Sequence, residues 1–474
     1  MVRAIWVLGL CGVLCFQLAL GLLNVAQARP RSNSPIAAMA LSQPGLSALT
    51  HSTGVFKLPP ALAWQQVLPQ VRLGSVISVG PYWVTALGDA QWEGVSSSVA
   101  ATLLTKEKSA TRIAAYDWET GERQWVVDLP GGLEAVYLQA VPPLKSDGVS
   151  QEPTDMLVTL SEGALIRLSG KTGQPRWLAP VAPQEGLVPA MVMDETGVMV
   201  ISTMGRLSRL SLATGAVVWQ RQLSETPLPE GVLVPPSQNT GQPPVLAEQP
   251  LAIGGDVAYP TVVVAESTGT LHAFQAQSGK PIWVQATQQE VRSIQWLSPH
   301  WVMATDRGLL TALKPETGVT AWSLVSLDGQ PLVTQAMPSG PHWVTASLGG
   351  QVLMANPKTG VRSGHEKLPQ GVSSGWVPLG DGALVGTLTD GRLIAYEPPK
   401  PQTVSSYRPF KRNNTSTVPS PPKPASSIRW EVPLRHRVVE APLIQPLPSG
   451  WWLLAASTDG TVQAYRWSSS PVVP

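Results

Sequence analysis

Short runs of alternating apolar and polar residues, broken by glycine-containing turns, recur along most of this chain. Five segments show an apolar run, a tight turn and a second alternating run: VAESTGTLHAF, VMATDRGLLTAL, VTASLGGQVLMA, LVGTLTDGRLIAY and LAASTDGTVQAY. Alternation predicts strands, and two strands around a short glycine-containing turn predict a β-hairpin. No helical period persists beyond a turn or two, so the pattern indicates an all-β chain.

A second pattern follows these hairpins, with threonine or serine, then glycine, then tryptophan four residues after the glycine. AAYDWETGERQW shows it at 114 to 125, and it recurs in IRLSGKTGQPRW, SRLSLATGAVVW, HAFQAQSGKPIW and TALKPETGVTAW. A sixth copy, LMANPKTGVRSG, has Gly364 where the tryptophan is expected. In a seventh, LIAYEP leads into a long insertion before IRWEVPL.

Adding an earlier apolar strand and the tryptophan-bearing strand gives four strands per repeat of about 40 residues, the signature of a propeller blade. Third strands lie near Tyr116, Leu168, Leu210, Phe274, Leu313, Ala355, Tyr396 and Tyr465, which makes eight repeats. The last repeat lacks a fourth strand, whereas ALAWQQVLP (61 to 69) resembles a fourth strand without a preceding turn. We therefore predict an eight-bladed β-propeller whose ring is closed by an N-terminal strand.

The recurring tryptophans are predicted to pack between neighbouring blades, because repeated aromatic positions in repeat architectures serve packing more often than ligand binding. These structural docking residues are Trp64, Trp125, Trp177, Trp219, Trp283, Trp322 and Trp430.

The N-terminus carries a targeting pattern. Arg3 precedes an apolar run over 4 to 23, and Ala26-Gln27-Ala28 places small residues where a signal peptidase cleaves. Residues 1 to 28 therefore form a signal peptide or an uncleaved membrane anchor, because the run is also just long enough to span a bilayer. We predict a polar linker over 29 to 55 and the propeller over 56 to 474.

Composition narrows the classes of function. The net charge is only +2 and charged residues make up 14% of the 474 residues, which argues against a nucleic-acid binder. Both cysteines, Cys11 and Cys15, lie in the targeting segment, so disulfides, thiolate metal sites and cysteine nucleophiles are not expected in the exported part.

The motif Ala-x-Asp-x-x-Thr-Gly-x-x-x-Trp, matched in full by Ala115, Asp117, Thr120, Gly121 and Trp125, resembles the tryptophan-docking motif of pyrroloquinoline-quinone-type propeller repeats. Partial copies extend the resemblance over nearly the whole exported part. Copies in phase are specific for the fold, but they do not specify function, because function resides in sites added to a widely used fold.

Two branches of that family imply different functions. Quinoprotein dehydrogenases hold a quinone on a calcium ion in the central channel, often beside an adjacent-cysteine disulfide. The exported part has no cysteine and no recognisable set of oxygen ligands, so no catalytic, cofactor or metal residues are predicted. The other branch is the non-enzymatic propeller subunit of the machinery that inserts β-barrel proteins into the bacterial outer membrane, and the resemblance is closest over 219 to 283.

We therefore predict a non-enzymatic protein-binding scaffold in the bacterial envelope, with no cofactor and no nucleic-acid partner. A quinone-dependent or other propeller dehydrogenase is the alternative. The resemblance implies a periplasmic location or one peripheral to the outer membrane, with membrane association through a partner or the N-terminal anchor. The subunit's usual lipid-attachment cysteine and its charged partner-binding motif are not matched here, so no residue roles are carried over.

Other candidate chemistry is sparse. The six histidines are dispersed, and His300 and His342 occupy equivalent places in successive repeats, which favours a turn role over metal binding. Asp117 is expected to fix the adjacent turn by side-chain hydrogen bonds.

Two segments interrupt the repeats. The Pro/Ser-rich insertion 398 to 427 favours a tolerated surface loop. Residues 224 to 244 join two blades and contain the apolar run Val232, Leu233 and Val234. We predict that this run binds the partner as a peptide-like segment, with Arg435 and Arg437 on the same face adding electrostatic steering.

Overall fold

The computed structural model describes residues 55–68, 71–89, 110–130, 135–141, 155–188, 191–192, 196–225, 246–256, 259–287, 289–332, 335–379, 381–399, 427–434, 438, 441–457 and 460–468. They all belong to one compact unit, which comprises Pro35–Gln91 and Ser109–Pro474. Their regular structure is β apart from two 3-10 helices, Val55–Lys57 and Leu223–Glu225, which confirms the all-β prediction. None of these helices has the length and apolar character needed to cross a membrane.

Within these ranges the strands form antiparallel four-stranded modules, numbered here in chain order. Modules 1 to 4 are β2–β5 (Val71–Val79, Tyr82–Asp89, Ala110–Asp117, Arg123–Asp128), β6–β9 (Ala135–Ala140, Met156–Leu160, Ala164–Leu168, Pro175–Pro180), β10–β13 (Met191–Val192, Gly197–Ile201, Arg206–Ser211, Val217–Gln222) and β14–β17 (Leu246–Asp256, Tyr259–Glu266, Thr270–Gln275, Pro281–Ala286).

Modules 5 to 7 are β18–β21 (Val291–Leu297, His300–Thr305, Leu309–Leu313, Thr320–Val325), β22–β25 (Met337–Ser339, His342–Ala346, Gln351–Ala355, Arg362–Lys367) and β26–β29 (Val377–Pro378, Leu384–Thr387, Arg392–Tyr396, Ile428–Pro433). Module 8 contains β30–β32 (Leu443–Leu447, Gly450–Ala456, Thr461–Ser468) together with β1 (Ala61–Val67). Single bridges join module 1 to module 2 (Ala110↔Ala135) and module 4 to module 5 (Gln249↔Ser293), so hydrogen bonding defines six sheets.

The N-terminal strand β1 pairs with the C-terminal strand β32. Their antiparallel register runs from Ala61↔Arg466 to Val67↔Thr461, and the Leu68 N–H donates to Gly460 O beyond it. The fourth strand of the last module therefore comes from the start of the described chain.

The core lies between modules. Second and third strands such as β7 and β24 are buried at every position, because a neighbouring module covers each face. Leu157 of module 2, for example, shares a cluster with Val200 and Leu210 of module 3. This burial on both faces explains why these strands contain nearly continuous apolar runs.

Candidate functional site

The turn between third and fourth strands has one geometry in modules 1 to 6, illustrated by Gly121. Its φ of 74° favours glycine, and its N–H donates to Asp117 O over 3.0 Å. The Thr120 hydroxyl accepts the N–H of Glu122, and the Asp117 carboxylate accepts the N–H groups of Glu119 and Thr120, each over 2.9 Å. These bonds give the physical reason for the Asp-x-x-Thr-Gly spacing.

Six of the docking tryptophans each lie over the glycine of one of these turns, in the next module around the fold. Trp125 covers Gly173, where an added Cβ would come within 2.7 Å of the indole ring, and its Nε1–H donates to Gly170 O over 3.2 Å. The other pairs with this arrangement are Trp64 with Gly121, Trp177 with Gly215, Trp219 with Gly279, Trp283 with Gly318, and Trp322 with Gly360.

Trp430 of module 7 has a different acceptor. Its Nε1–H donates over 3.0 Å to the carbonyl of Phe56, in the 3-10 helix that precedes β1. The buried Phe56 ring packs edge-on against Trp451 and Trp467, and Trp467 donates to Leu58 O. This N-terminal segment therefore takes the place that a third-to-fourth turn occupies in the other modules.

Module 6 has Gly364 in place of a docking tryptophan. Gly364 lies opposite Met354 on the neighbouring strand, just as Trp322 lies opposite Ala312 in module 5. A Cβ added to Gly364 would lie 2.9 Å from the Met354 methyl carbon. The buried Met354 side chain therefore occupies part of the volume that an indole would need.

Several acidic side chains with low exposure hold polar contacts within or between modules, and Asp155, Asp328 and Glu266 illustrate them. Asp155 pairs with Arg167 (2.6 Å) and Arg176 (3.0 Å), and Arg167 also donates to Leu212 O of module 3. Burial alone raises the pKa of Asp328, but hydrogen bonds from Ser326, Ser347 and the Gln330 N–H outweigh it, so the pKa lies below its ordinary value.

The third acidic group, Glu266, forms a fully buried pair with His272. His272 Nε2 lies 2.9 Å from Glu266 Oε1, and the Thr268 hydroxyl donates to the other carboxylate oxygen. At the position of Glu266, module 5 has Thr305, whose hydroxyl accepts the N–H of Leu309. No sequence pattern marks this pair, because its partners are six residues apart and meet only across the hairpin β15–β16.

His300 and His342 occupy equivalent positions, the first residues of β19 and β23. His342 Nδ1 lies 2.8 Å from the Ser363 hydroxyl, and burial lowers the pKa of His300. Within the described ranges, no group of three or more His, Cys, Asp or Glu side chains could hold a metal ion.

Amide side chains lie in or just before the first strands of modules 4 to 6, and no repeated sequence pattern marks them. The Gln335 amide donates to Gln249 Oε1 over 2.8 Å, and Gln295 donates to Ala336 O over 3.0 Å. These bonds connect the first strands of modules 4 and 5 to the residues that immediately precede the first strand of module 6.

The predicted partner-binding residues Val232, Leu233, Val234, Arg435 and Arg437 lie outside the described residues, as do 400 to 426 of the insertion. Their flanks are described. Leu246, which follows the segment 224 to 244, pairs with Glu266 beside the second-to-third turn of module 4. Leu434, which precedes Arg435, donates to Gly391 O in the corresponding turn of module 7.

Stacked four-stranded modules, docked by a tryptophan of one onto the turn of the next, define a β-propeller of the tryptophan-docking type. The chain belongs to the family described as outer membrane protein assembly factor BamB, whose family model matches residues 63–232 and 237–376.

Solved structures show the same fold. BamB from Moraxella catarrhalis is 16% identical with a TM-score of 0.52, and the match covers 86% of this chain and 100% of that one. The computationally designed Ika8 protein is 12% identical (TM-score 0.56; 86% and 100% covered). Sqt1 of Saccharomyces cerevisiae is 8% identical (TM-score 0.59; 86% and 99% covered). No curated protein matches the chain.

Proposed function

We propose that this chain is a non-enzymatic, eight-bladed propeller scaffold that assists outer-membrane protein assembly in the bacterial envelope. The observation that carries the proposal is the match to the assembly-factor family over two long stretches of the repeat region. In this proposal the chain is exported and works in the periplasm or at the inner surface of the outer membrane.

A closed ring is the finer part of the proposal, and contacts between modules 8 and 1 support it. Leu454 and Val462 of module 8 share a buried cluster with Val76 and Trp83 of module 1. Trp64 of β1 docks on the turn of module 1, and the Ser78 hydroxyl donates to Gln445 Oε1 over 2.9 Å. Closure of this kind covers the faces of modules 8 and 1 that an open ring would expose, and it gives a rigid ring on which loops can bind partners.

Co-purification tests the scaffold proposal. The tagged chain is expressed in the envelope of its own host, solubilised in mild detergent and captured. The designed Ika8 protein, which has a similar fold, is exported as a matched control bait. We expect β-barrel assembly components to be enriched with this chain and not with the control. Equal enrichment with both baits, or a quinone absorption band with calcium-dependent dye reduction by the purified chain, would overturn the proposal.

A further inference from the structure

The outer edge of module 5 is formed by β21. This strand pairs with β20 on one side and, in the part of the chain that the structure describes, with no strand on the other. Such an edge presents backbone N–H and C=O groups that can pair with another chain, and natural proteins usually protect it with charges, proline or short length.

The other outer strands carry such protection to different degrees. Charged residues or prolines occur in β5 (RQWVVD), β9 (PRWLAP), β13 (VVWQRQ), β17 (PIWVQA), β25 (RSGHEK) and β29 (IRWEVP). β21 reads TAWSLV and has neither. β1 (ALAWQQV) also has neither, but its Gln65 is half-buried and accepts from Gln463, so its exposed stripe is interrupted.

The exposed stripe along β21 is long, regular and uncharged. Val319, Ala321, Ser323, Val325 and Leu327 are all exposed, whereas the intervening residues from Trp322 onward are buried. Val319, Val325 and Leu327 are each about half exposed, at 48%, 53% and 53%. Because Ala321 and Ser323 are small, side chains of an added strand have room between the larger apolar residues.

One end of this edge is capped. The Arg362 guanidinium of module 6 donates from Nη2 to Val325 O over 2.6 Å. An added strand can pair with Ala321 and Ser323 freely, but it competes with Arg362 for the carbonyl of Val325.

We propose that β21 is a docking edge for an extended polypeptide segment with alternating apolar and polar residues, added as a fifth strand of module 5. Main-chain hydrogen bonds supply affinity, and the apolar residues of the segment pack along the stripe. The uncharged stripe selects against a highly charged segment. A second copy of this chain is a poorer occupant, because contact along a single pair of edge strands buries far less than the 1,200 Å² or so typical of stable interfaces.

The test measures binding of a fluorescent peptide of about ten residues with alternating valine and threonine, a length that matches ordinary strands. Fluorescence anisotropy compares the parent chain with Ala321→Lys/Ser323→Lys, which places charges on the edge. Gln124→Lys/Val126→Lys, at the same two positions beside Trp125 on β5, is the matched control. Arg362→Ala removes the cap.

We expect the β21 double variant to weaken binding by at least about tenfold, the β5 variant to leave it unchanged, and Arg362→Ala to tighten it. Hydrogen exchange should show peptide-dependent protection of the Ala321, Ser323 and Val325 amides. Equal binding by the two double variants, or protection confined to β1, overturns the assignment. So does sedimentation that reveals a dimer of the parent chain lost in the β21 variant, because the occupant is then a second copy.

Discussion

At the scale of single residues, the exchange of tryptophan for glycine at position 364 is balanced by a neighbour on the adjacent strand. In module 5 the corresponding pair is Ala312 with Trp322, and in module 6 it is Met354 with Gly364. Gly364→Trp alone should collide with Met354 and lower the free energy of unfolding by roughly 1 to 3 kcal/mol, as overpacking does.

The double variant Gly364→Trp/Met354→Ala restores the arrangement of module 5, so it should recover most of the stability that the single variant loses. Urea denaturation of the parent, both single variants and the double variant gives the coupling between the two sites. Additive losses from the two substitutions would show that Met354 does not occupy the indole position.

Asp328 makes the stability of the junction between modules 5 and 6 depend on pH. Its pKa is held below the ordinary value of 3.8, so the ionised carboxylate stabilises the fold above that value, and this contribution is lost as the pH falls through the lower, folded-state pKa. Asp328→Asn should lower the free energy of unfolding at neutral pH by roughly 1 kcal/mol.

The difference in the free energy of unfolding between Asp328→Asn and the parent should shrink in strongly acidic buffer, well below the ordinary pKa of the carboxyl group. Both side chains are then neutral. Urea titrations at neutral pH and at about pH 2 measure this difference. Asp306→Asn, at an exposed position in the second-to-third turn of module 5, is the control. A difference that stays constant with pH would show that the carboxylate charge is not what the neighbouring hydroxyls stabilise.

At the scale of elements, the sequence predicted what local chemistry determines. The glycine, the threonine and the tryptophan of each turn act within a few residues of one another or at a fixed repeat spacing, so they are visible as a pattern. The pairing of Met354 with Gly364 and the contact of Gln335 with Gln249 depend on which strands become neighbours, and 86 residues separate those two glutamines. No local pattern contains that information.

The segment from Val55 to Val67 is the element on which module 8 depends. Phe56 supplies the acceptor for Trp430 and packs on Trp451 and Trp467, and β1 completes the sheet. Deleting 29 to 50 should therefore leave a folded chain, whereas deleting 29 to 70 should remove cooperative unfolding or lower the melting temperature strongly. Calorimetry of the two truncations decides the matter, and equal melting temperatures would contradict the role given to this segment.

At the scale of the whole molecule, the ends of the strands separate two faces. The chain leaves module 3 after Glu225 and re-enters beside the second-to-third turn of module 4, and Leu434 lies by the same kind of turn in module 7. The insertion instead interrupts a third-to-fourth connection, between Tyr396 and Ile428. The flanks of 224 to 244 and of Arg435 therefore lie at the opposite strand ends from those of the insertion.

This separation makes the location of the partner site testable. We expect Val232→Ser/Leu233→Ser/Val234→Ser to abolish co-purification of the envelope partner at unchanged thermal stability, because an apolar segment binds through the surface it buries. Arg435→Ala/Arg437→Ala should slow association more than it weakens affinity, with the effect largest at low salt. Deleting 400 to 425 is the control and should preserve both binding and stability. If the deletion loses the partner while the triple serine variant keeps it, the partner binds at the face that carries the third-to-fourth turns.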